Sequence, residues 1–196
     1  TGEVAVFGDS YSEALVKSMM AADFKLPTQA VLVSLGKEEN KIKLLESIKQ
    51  LEEMKFKIYA TENTADFLMV NGVECEKVFK ISTGKSPHVG ELLSDGAVDL
   101  IINIPTKAGG EETTDGFIIR RQAIDLRIPL ITNRQLAEGF IHALAETKGK
   151  GLEAKAWDEY RQRTTPCGVA AGAVSTGNVV ALQECHESCD DLSRNL

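Results

Sequence analysis

Long apolar runs are missing from this sequence, and so is any excess of positive charge. No stretch approaches the roughly 18 consecutive apolar residues of a membrane span, and the start of the chain has no signal-peptide pattern, so no membrane partner is expected. Lys and Arg number 22 against 29 Asp and Glu, a net charge of −7. That balance, with a pI of about 5.1, argues against nucleic acid or an anionic lipid surface as the main partner. It leaves room for a local basic pocket that takes a small anion. Cysteine is scarce too. Cys75 stands alone in the middle, and Cys167, Cys185 and Cys189 crowd the end of the chain, so there is no disulfide framework. A reduced, cytoplasmic setting is the expectation. An initiator Met is also absent: the chain begins Thr1-Gly2-Glu3, as expected for a piece of something longer.

What is present is the composition of one globular domain with appendages, 196 residues at 43% hydrophobic and 26% charged. Thr1–Phe7 is extended in character, and Ser12–Ala22 is a weak helical pattern closed by Lys25-Leu26-Pro27. From Ala30 the texture becomes regular. Ala30–Leu35 is a short apolar run of the kind buried on both faces of a sheet. Lys41–Met54 follows as an amphipathic helix, with Ile42, Leu45, Ile48 and Leu51 read as its apolar stripe. The alternation then repeats: strand Lys57–Thr61, helix Thr64–Val70, weaker strand Glu76–Ile81, helix Pro87–Ser94 and strand Asp99–Pro105. After a polar loop, Thr106–Thr114, come helix Gly116–Leu126, strand Ile128–Thr132 and helix Gln135–Leu144, with Leu136, Phe140, Ile141 and Leu144 on one face.

Strands alternating with helices predict an α/β fold, a three-layer sandwich around a five-stranded parallel sheet. Residues 1–29 read as a linking segment, 30–147 as the domain, and 148–196 as a C-terminal helix and flexible tail. The helix would cover Leu152–Arg163, anchored by Trp157 and Tyr160.

Ligands of such sheets sit outside the carboxyl ends of the strands. Thr61-Glu62-Asn63-Thr64 lies there, with two hydroxyls beside the start of a helix. Lys41 follows the first strand, Lys80 ends the third, and Asn103 ends the fourth. Two ammonium groups, two hydroxyls and a carboxamide suit a phosphate or carboxylate ligand. Each residue alone has a plainer reading, the threonines as helix caps and the lysines as solvated surface. Arg120 and Arg121 could reach a phosphate, but adjacent helical residues point about 100° apart. One of them can face the site, and the other is expected to meet solvent or an acidic neighbour. Cys185-His186-Glu187-Ser188-Cys189 has the spacing of half a zinc site, without a second half, and no metal is expected. His142 reads as a surface side chain.

Thr1–Val4 with Phe24–Pro27, Tyr59–Phe67, Asp99–Pro105, Ile118–Ala123 and Ile128–Asn133 together resemble the C-terminal regulatory domain of carbamoyl-phosphate synthetase large chains. The resemblance runs from Thr1 to about Leu144 and implies the methylglyoxal synthase-like fold. It implies binding of a small anionic effector, such as UMP, IMP, UTP, phosphoribosyl pyrophosphate or N-acetylglutamate. By position the effector residues would be Lys41, Thr61, Thr64, Lys80 and Asn103. Members activated by N-acetylglutamate carry an aromatic near the position of Lys80, so the lysine leans toward a phosphorylated effector. Pro105 departs from nucleotide-regulated members that carry a hydroxyl nearby. The resemblance also implies partners: synthetase domains of the same chain, which would use ATP with Mg or Mn to make carbamoyl phosphate for pyrimidine and arginine synthesis, and a glutaminase subunit or domain. A urea-cycle parent would be mitochondrial. No cofactor is expected in this domain itself.

An enzymatic alternative rests on Val89–Gly96, which is similar to methylglyoxal synthases, lyases of dihydroxyacetone phosphate. Those enzymes place a general-base aspartate three residues before that valine, where this chain has Ser86. A serine does not take a carbon-bound proton at neutral pH without a positioned base, and His88 is the candidate base within reach.

Overall fold

The computed structural model describes residues 3–106, 115–150, 152–153 and 155–163. Five strands, β1 (Ala30–Leu35), β2 (Lys57–Thr61), β3 (Glu76–Val78), β4 (Leu100–Ile104) and β5 (Leu130–Ile131), form one sheet. Every pairing is parallel, and the order is β3-β2-β1-β4-β5. The chain runs outward from β1 to β3, then returns to lay β4 on the other side of β1. The reversal places the topological switch between β1 and β4, at the carboxyl ends of the strands.

Side chains alternate across the sheet and build two apolar layers. Val31, Val33 and Leu35 of β1 pack with Leu44, Ile48 and Leu51 of helix α2 (Glu38–Glu53), Leu68 of α3 (Glu62–Val70) and Phe140 of α6 (Arg134–Thr147). Ala30 and Leu32 face the opposite way, toward Val89 and Leu93 of α4 (Val89–Ser94) and Ile119 of α5 (Asp115–Asp125). This is the expected three-layer sandwich. Helix α1 (Tyr11–Ala21) packs on α6, with Val16 fully buried, and Phe24 meets Phe140 edge to face at 5.4 Å.

Two apolar stripes differ from their expected register. On α2 the inward residues are Lys41, Leu44, Ile48 and Leu51, while Ile42 is 61% exposed. A strict three-residue step drifts about 60° backward per step on a 3.6-residue helix, so steps of three and four hold one face. On α6 the core is met by Ala137, Phe140, Ile141, Ala143 and Leu144, and Leu136 in the first turn is largely outside it.

Boundaries shift as well. The third strand stops at Val78, because Phe79 N–H donates to Pro87 O and Phe79 O accepts from Val89 N–H. A 3₁₀ turn, Ile81–Thr83, follows directly. Residues 3–7 carry no strand. The last helix, α7, covers only Trp157–Arg163, and Trp157, expected as an anchor, is 56% exposed. The chain divides between Lys155 and Ala156 into two compact units, and α7 belongs to the second.

One close approach requires a glycine. A Cβ on Gly36 would lie 2.4 Å from Thr106 Oγ1 and 2.6 Å from its backbone nitrogen. The exits of β1 and β4 can therefore pass each other, joined by Gly36 N–H donating to Ile104 O at 2.9 Å. At the other end of the sheet Asp99 gathers both strands. Its Oδ2 accepts from the N–H groups of Thr28, Gln29 and Ala30 at 3.2, 2.5 and 3.0 Å.

Candidate functional site

Strand register makes a polar row out of three separate segments. Ser34 of β1 pairs with Asn103 of β4, and Val33 pairs with Ala60 of β2, which sets Thr61 beside Ser34 on its other flank. All three belong to the set of positions facing α4 and α5, at the last or next-to-last place of their strands. The row ends an otherwise apolar layer. Thr61 and Asn103 are 4% and 3% exposed, so their polar atoms need partners within the protein or from a ligand.

Thr61 has its hydroxyl 3.3 Å from Ser34 Oγ and 3.4 Å from Thr64 Oγ1. Although it is the N-cap of α3, it makes no capping bond. Thr61 thus leaves the first N–H groups of α3, at the positive end of the helix, without a bond from its side chain. Thr64, 1% exposed, accepts from Leu35 N–H at 3.0 Å, so its hydroxyl ties the start of α3 to the end of β1.

Lys41 occupies a place in the inward stripe of α2 where an apolar residue would be ordinary. It is 8% exposed, and its ammonium donates to Asn63 O at 3.1 Å. Glu38 lies 3.6 Å from the same nitrogen, and the Phe67 ring centroid is 5.8 Å away. An ammonium carries three donors, and Asn63 O receives its one hydrogen bond among the described residues. Lys41 therefore abuts the Thr61–Thr64 turn, a buried cation against an uncapped helix start.

Lys80 is at the same sheet edge, two residues beyond Val78, which pairs with Thr61. It is half-buried and caps the 3₁₀ turn through its backbone. Among the described residues its ammonium bonds none of the other four. The structure thus gathers Lys41, Thr61 and Thr64 closely, sets Asn103 in the same row through Ser34, and leaves Lys80 on the rim.

Ser34 is a residue the sequence does not single out, and Arg120 is one of the two arginines weighed there but left outside the five effector positions. Arg120 donates through Nη1 to Asn103 Oδ1 at 2.7 Å, bringing a guanidinium to the end of the row. Its neighbour Arg121 turns outward to Asp125 at 3.1 Å. The pair divides as helix geometry requires, one inward and one to an acidic neighbour. Gly116, one turn before Arg120, leaves room: a Cβ there would stand 3.2 Å from Arg120 Nη1. Ser34 was hidden because a lone serine in an apolar run carries no signal until the register is known.

Ser86 and His88 stand elsewhere, lining an open pocket of about 670 Å³ with Glu91, Asp95 and Gln122. Ser86 donates to Glu91 Oε2 at 2.9 Å, and His88 Nδ1 accepts from Glu91 N–H at 3.2 Å as the N-cap of α4. Donation from His88 N–H and the Ser86 hydroxyl holds the Glu91 carboxyl below its usual range, so it is an ionised cap acceptor. His142 is 60% exposed, as expected. Cys167, Cys185, His186 and Cys189 lie outside the described residues. No helix among the described residues is long and apolar enough to cross a membrane, and none of their His, Cys, Asp and Glu side chains group as a metal site.

The family model for the MGS-like domain matches residues 43–132, which run from within α2 to just past β5 and include Thr61 and Asn103 of the polar row, with Ser34 and Lys41 ahead of the match. The chain thus carries an MGS-like domain. Along most of its length it is similar to carbamoyl-phosphate synthase large chains. It is 34% identical over 166 residues to the mitochondrial, ammonia-using carbamoyl-phosphate synthase of Homo sapiens, covering 83% of this chain and 11% of that one. It is 34% identical over 165 residues to the large chain from Archaeoglobus fulgidus, covering 84% and 15%. The C-terminal section of the large chain from Methanopyrus kandleri is 35% identical over 152 residues, covering 78% and 28%. These matches make the chain a homologue of the MGS-like domain of carbamoyl-phosphate synthase, spanning a small fraction of the relatives' length. A methylglyoxal synthase structure from Elizabethkingia anophelis aligns with TM-score 0.47 at 17% identity, covering 72% of this chain and 95% of that one.

Proposed function

We propose that this domain binds a small phosphorylated metabolite at the carboxyl edge of its sheet, and that occupancy regulates carbamoyl phosphate synthesis by ATP-using domains of the same chain. A glutaminase partner belongs to that larger assembly. The observation that carries the reading is Lys41, an ammonium set in an apolar stripe that bonds Asn63 O and has the exposed Glu38 carboxylate 3.6 Å away, beside a helix start that the Thr61 side chain does not cap. Glu38 is largely exposed and beyond hydrogen-bond distance, so a bound anion would complete the pairing of the buried ammonium. Thr61, Thr64 and Asn103 supply hydrogen-bonding groups around it, and Lys80 and Arg120 supply further positive charge. No side chain in the cluster has the role of a general base. Regulation requires that the ligand bind two states of the parent enzyme unequally, by a coupling of ~1–3 kcal/mol.

The lyase reading is weaker on local grounds. Ser86 replaces the carboxylate such chemistry needs, and His88, the remaining base, is committed to capping α4.

Calorimetry with UMP, IMP, UTP, phosphoribosyl pyrophosphate and N-acetylglutamate tests the proposal. Saturable binding of a phosphorylated member without turnover is expected, lost in the Lys41→Ala, Lys80→Ala double variant. Wild-type protein that binds none of them, or a double variant that binds normally, overturns it. Phosphate release from dihydroxyacetone phosphate would instead favour the lyase.

A further inference from the structure

Ser82 and Asp115 are 33 residues apart and meet at two points. Asp115 Oδ1 accepts from Ser82 N–H at 3.0 Å, and Oδ2 accepts from the Ser82 hydroxyl at 2.8 Å. Each partner belongs to an element that also bears a cationic residue of the candidate site. Ser82 is in the middle of the 3₁₀ turn that Lys80 begins, and this turn is closed on itself by Thr83 Oγ1 donating to Lys80 O at 2.7 Å. Asp115 opens α5, the helix that brings Arg120 to Asn103. The two-point contact thus joins the turn bearing Lys80 to the helix bearing Arg120, across the strand ends that carry Thr61, Ser34 and Asn103.

We propose that Ser82 and Asp115 form a clasp that positions Lys80 and Arg120 for the anion, so that ligand binding and clasp closure reinforce each other. The inference rests on the anion-binding reading above. Three features suit the pair to this task. Both contacts are solvent-exposed, where hydrogen bonds exchange readily with water, so the contact is reversible. A carboxylate in the first turn of α5 is favoured by the helix dipole whether or not Ser82 is engaged, so opening leaves α5 intact. Finally, the turn is braced internally, since the Thr83 N–H and hydroxyl both donate to Lys80 O. Ser82 and Asp115 are positioning residues: they act through the places of Lys80 and Arg120.

The test uses the chain as described, with UMP and inorganic pyrophosphate as probes in calorimetry. Asp115→Ala, which removes both contacts, is expected to weaken binding of whichever probe the wild type binds by about tenfold, and Ser82→Ala, which removes only the hydroxyl contact, by less. The double variant should bind no more weakly than Asp115→Ala, which by itself removes both contacts, whereas Ser82→Ala keeps the Ser82 N–H bond to Oδ1. Ser82→Thr keeps the N–H and the hydroxyl and should bind like wild type. Melting temperatures of all four should stay near the wild-type value. Single variants that bind like wild type, losses that add in the double variant, failure of Ser82→Thr to retain binding, or a fall in melting temperature without a fall in affinity would each overturn the clasp while leaving the anion site standing. A wild type that binds neither probe overturns the reading beneath it.

Discussion

Arg120 donates to Asn103 Oδ1 at 2.7 Å, a contact that ties α5 to the end of β4 and settles which way the Asn103 amide points. With Oδ1 occupied, the amide nitrogen is the atom that Asn103 can offer as a donor to an anion. A buried carboxamide would otherwise be ambiguous in this respect.

Arg120→Ala should therefore weaken anion binding twice over, by removing a cation and by freeing Asn103 to turn its acceptor toward the ligand. Stability should fall by about 1–3 kcal/mol, the usual result of leaving a buried acceptor unpaired. Urea denaturation and calorimetry on the same preparation check both effects. Arg121→Ala, whose partner is the exposed Asp125, should change neither.

Lys41→Met separates function from stability. Methionine fills the inward stripe of α2 without a charge, so stability should hold or rise, since apolar replacements of buried ions are often neutral or favourable. Phosphorylated ligands should no longer bind. A large loss of stability in thermal denaturation would show instead that the ammonium supports the fold.

Thr64→Val keeps the shape of the side chain and removes the oxygen that accepts Leu35 N–H. A cost of about 1–3 kcal/mol is expected, with Thr64→Ser close to wild type. Chemical denaturation of the three proteins side by side distinguishes loss of the hydroxyl from loss of the methyl.

Asp99 makes stability depend on acid. Burial alone would raise its carboxyl, but the N–H groups of Ala30, Gln29 and Thr28, with the Thr28 hydroxyl, outweigh this and hold it below the ordinary carboxylate range. A folded-state value lowered in this way contributes stability above the unfolded value of about 3.9 and loses it as pH falls through the lowered one. Asp99→Asn should be less stable than wild type at pH 7, with the gap closing below about pH 4. A constant gap across denaturation curves from pH 7 to pH 2.5 would contradict this account.

The register of α2 has its own check. Leu44→Ala should cost about 2–5 kcal/mol, as for a fully buried leucine, while Ile42→Ser should change stability little.

Much of the fold was legible because its signals are local. Ala30–Leu35 and Leu100–Ile104 are apolar runs flanked by turn residues, which suits strands covered on both faces. Stripes were less legible, since Ile42 and Leu136 are as hydrophobic as their buried neighbours and only the helix angle tells them apart. Lys41, Thr61, Thr64, Lys80 and Asn103 stand out by their places at or after strand ends and by family resemblance. What the sequence could not convey was tertiary register. Ser34 acquires meaning from facing Asn103 across two strands, and the choice of Arg120 over Arg121 depends on how α5 rolls on the sheet. The clasp of Ser82 with Asp115 is of the same kind.

The polar row faces α4 and α5, whereas Lys41 comes from α2 on the opposite side of the sheet. A metabolite gripped by both would act as a rivet through the edge of the sandwich. Its arrival should therefore slow amide exchange in the outer helices of both layers together, making two slabs that share only a sheet behave as one body.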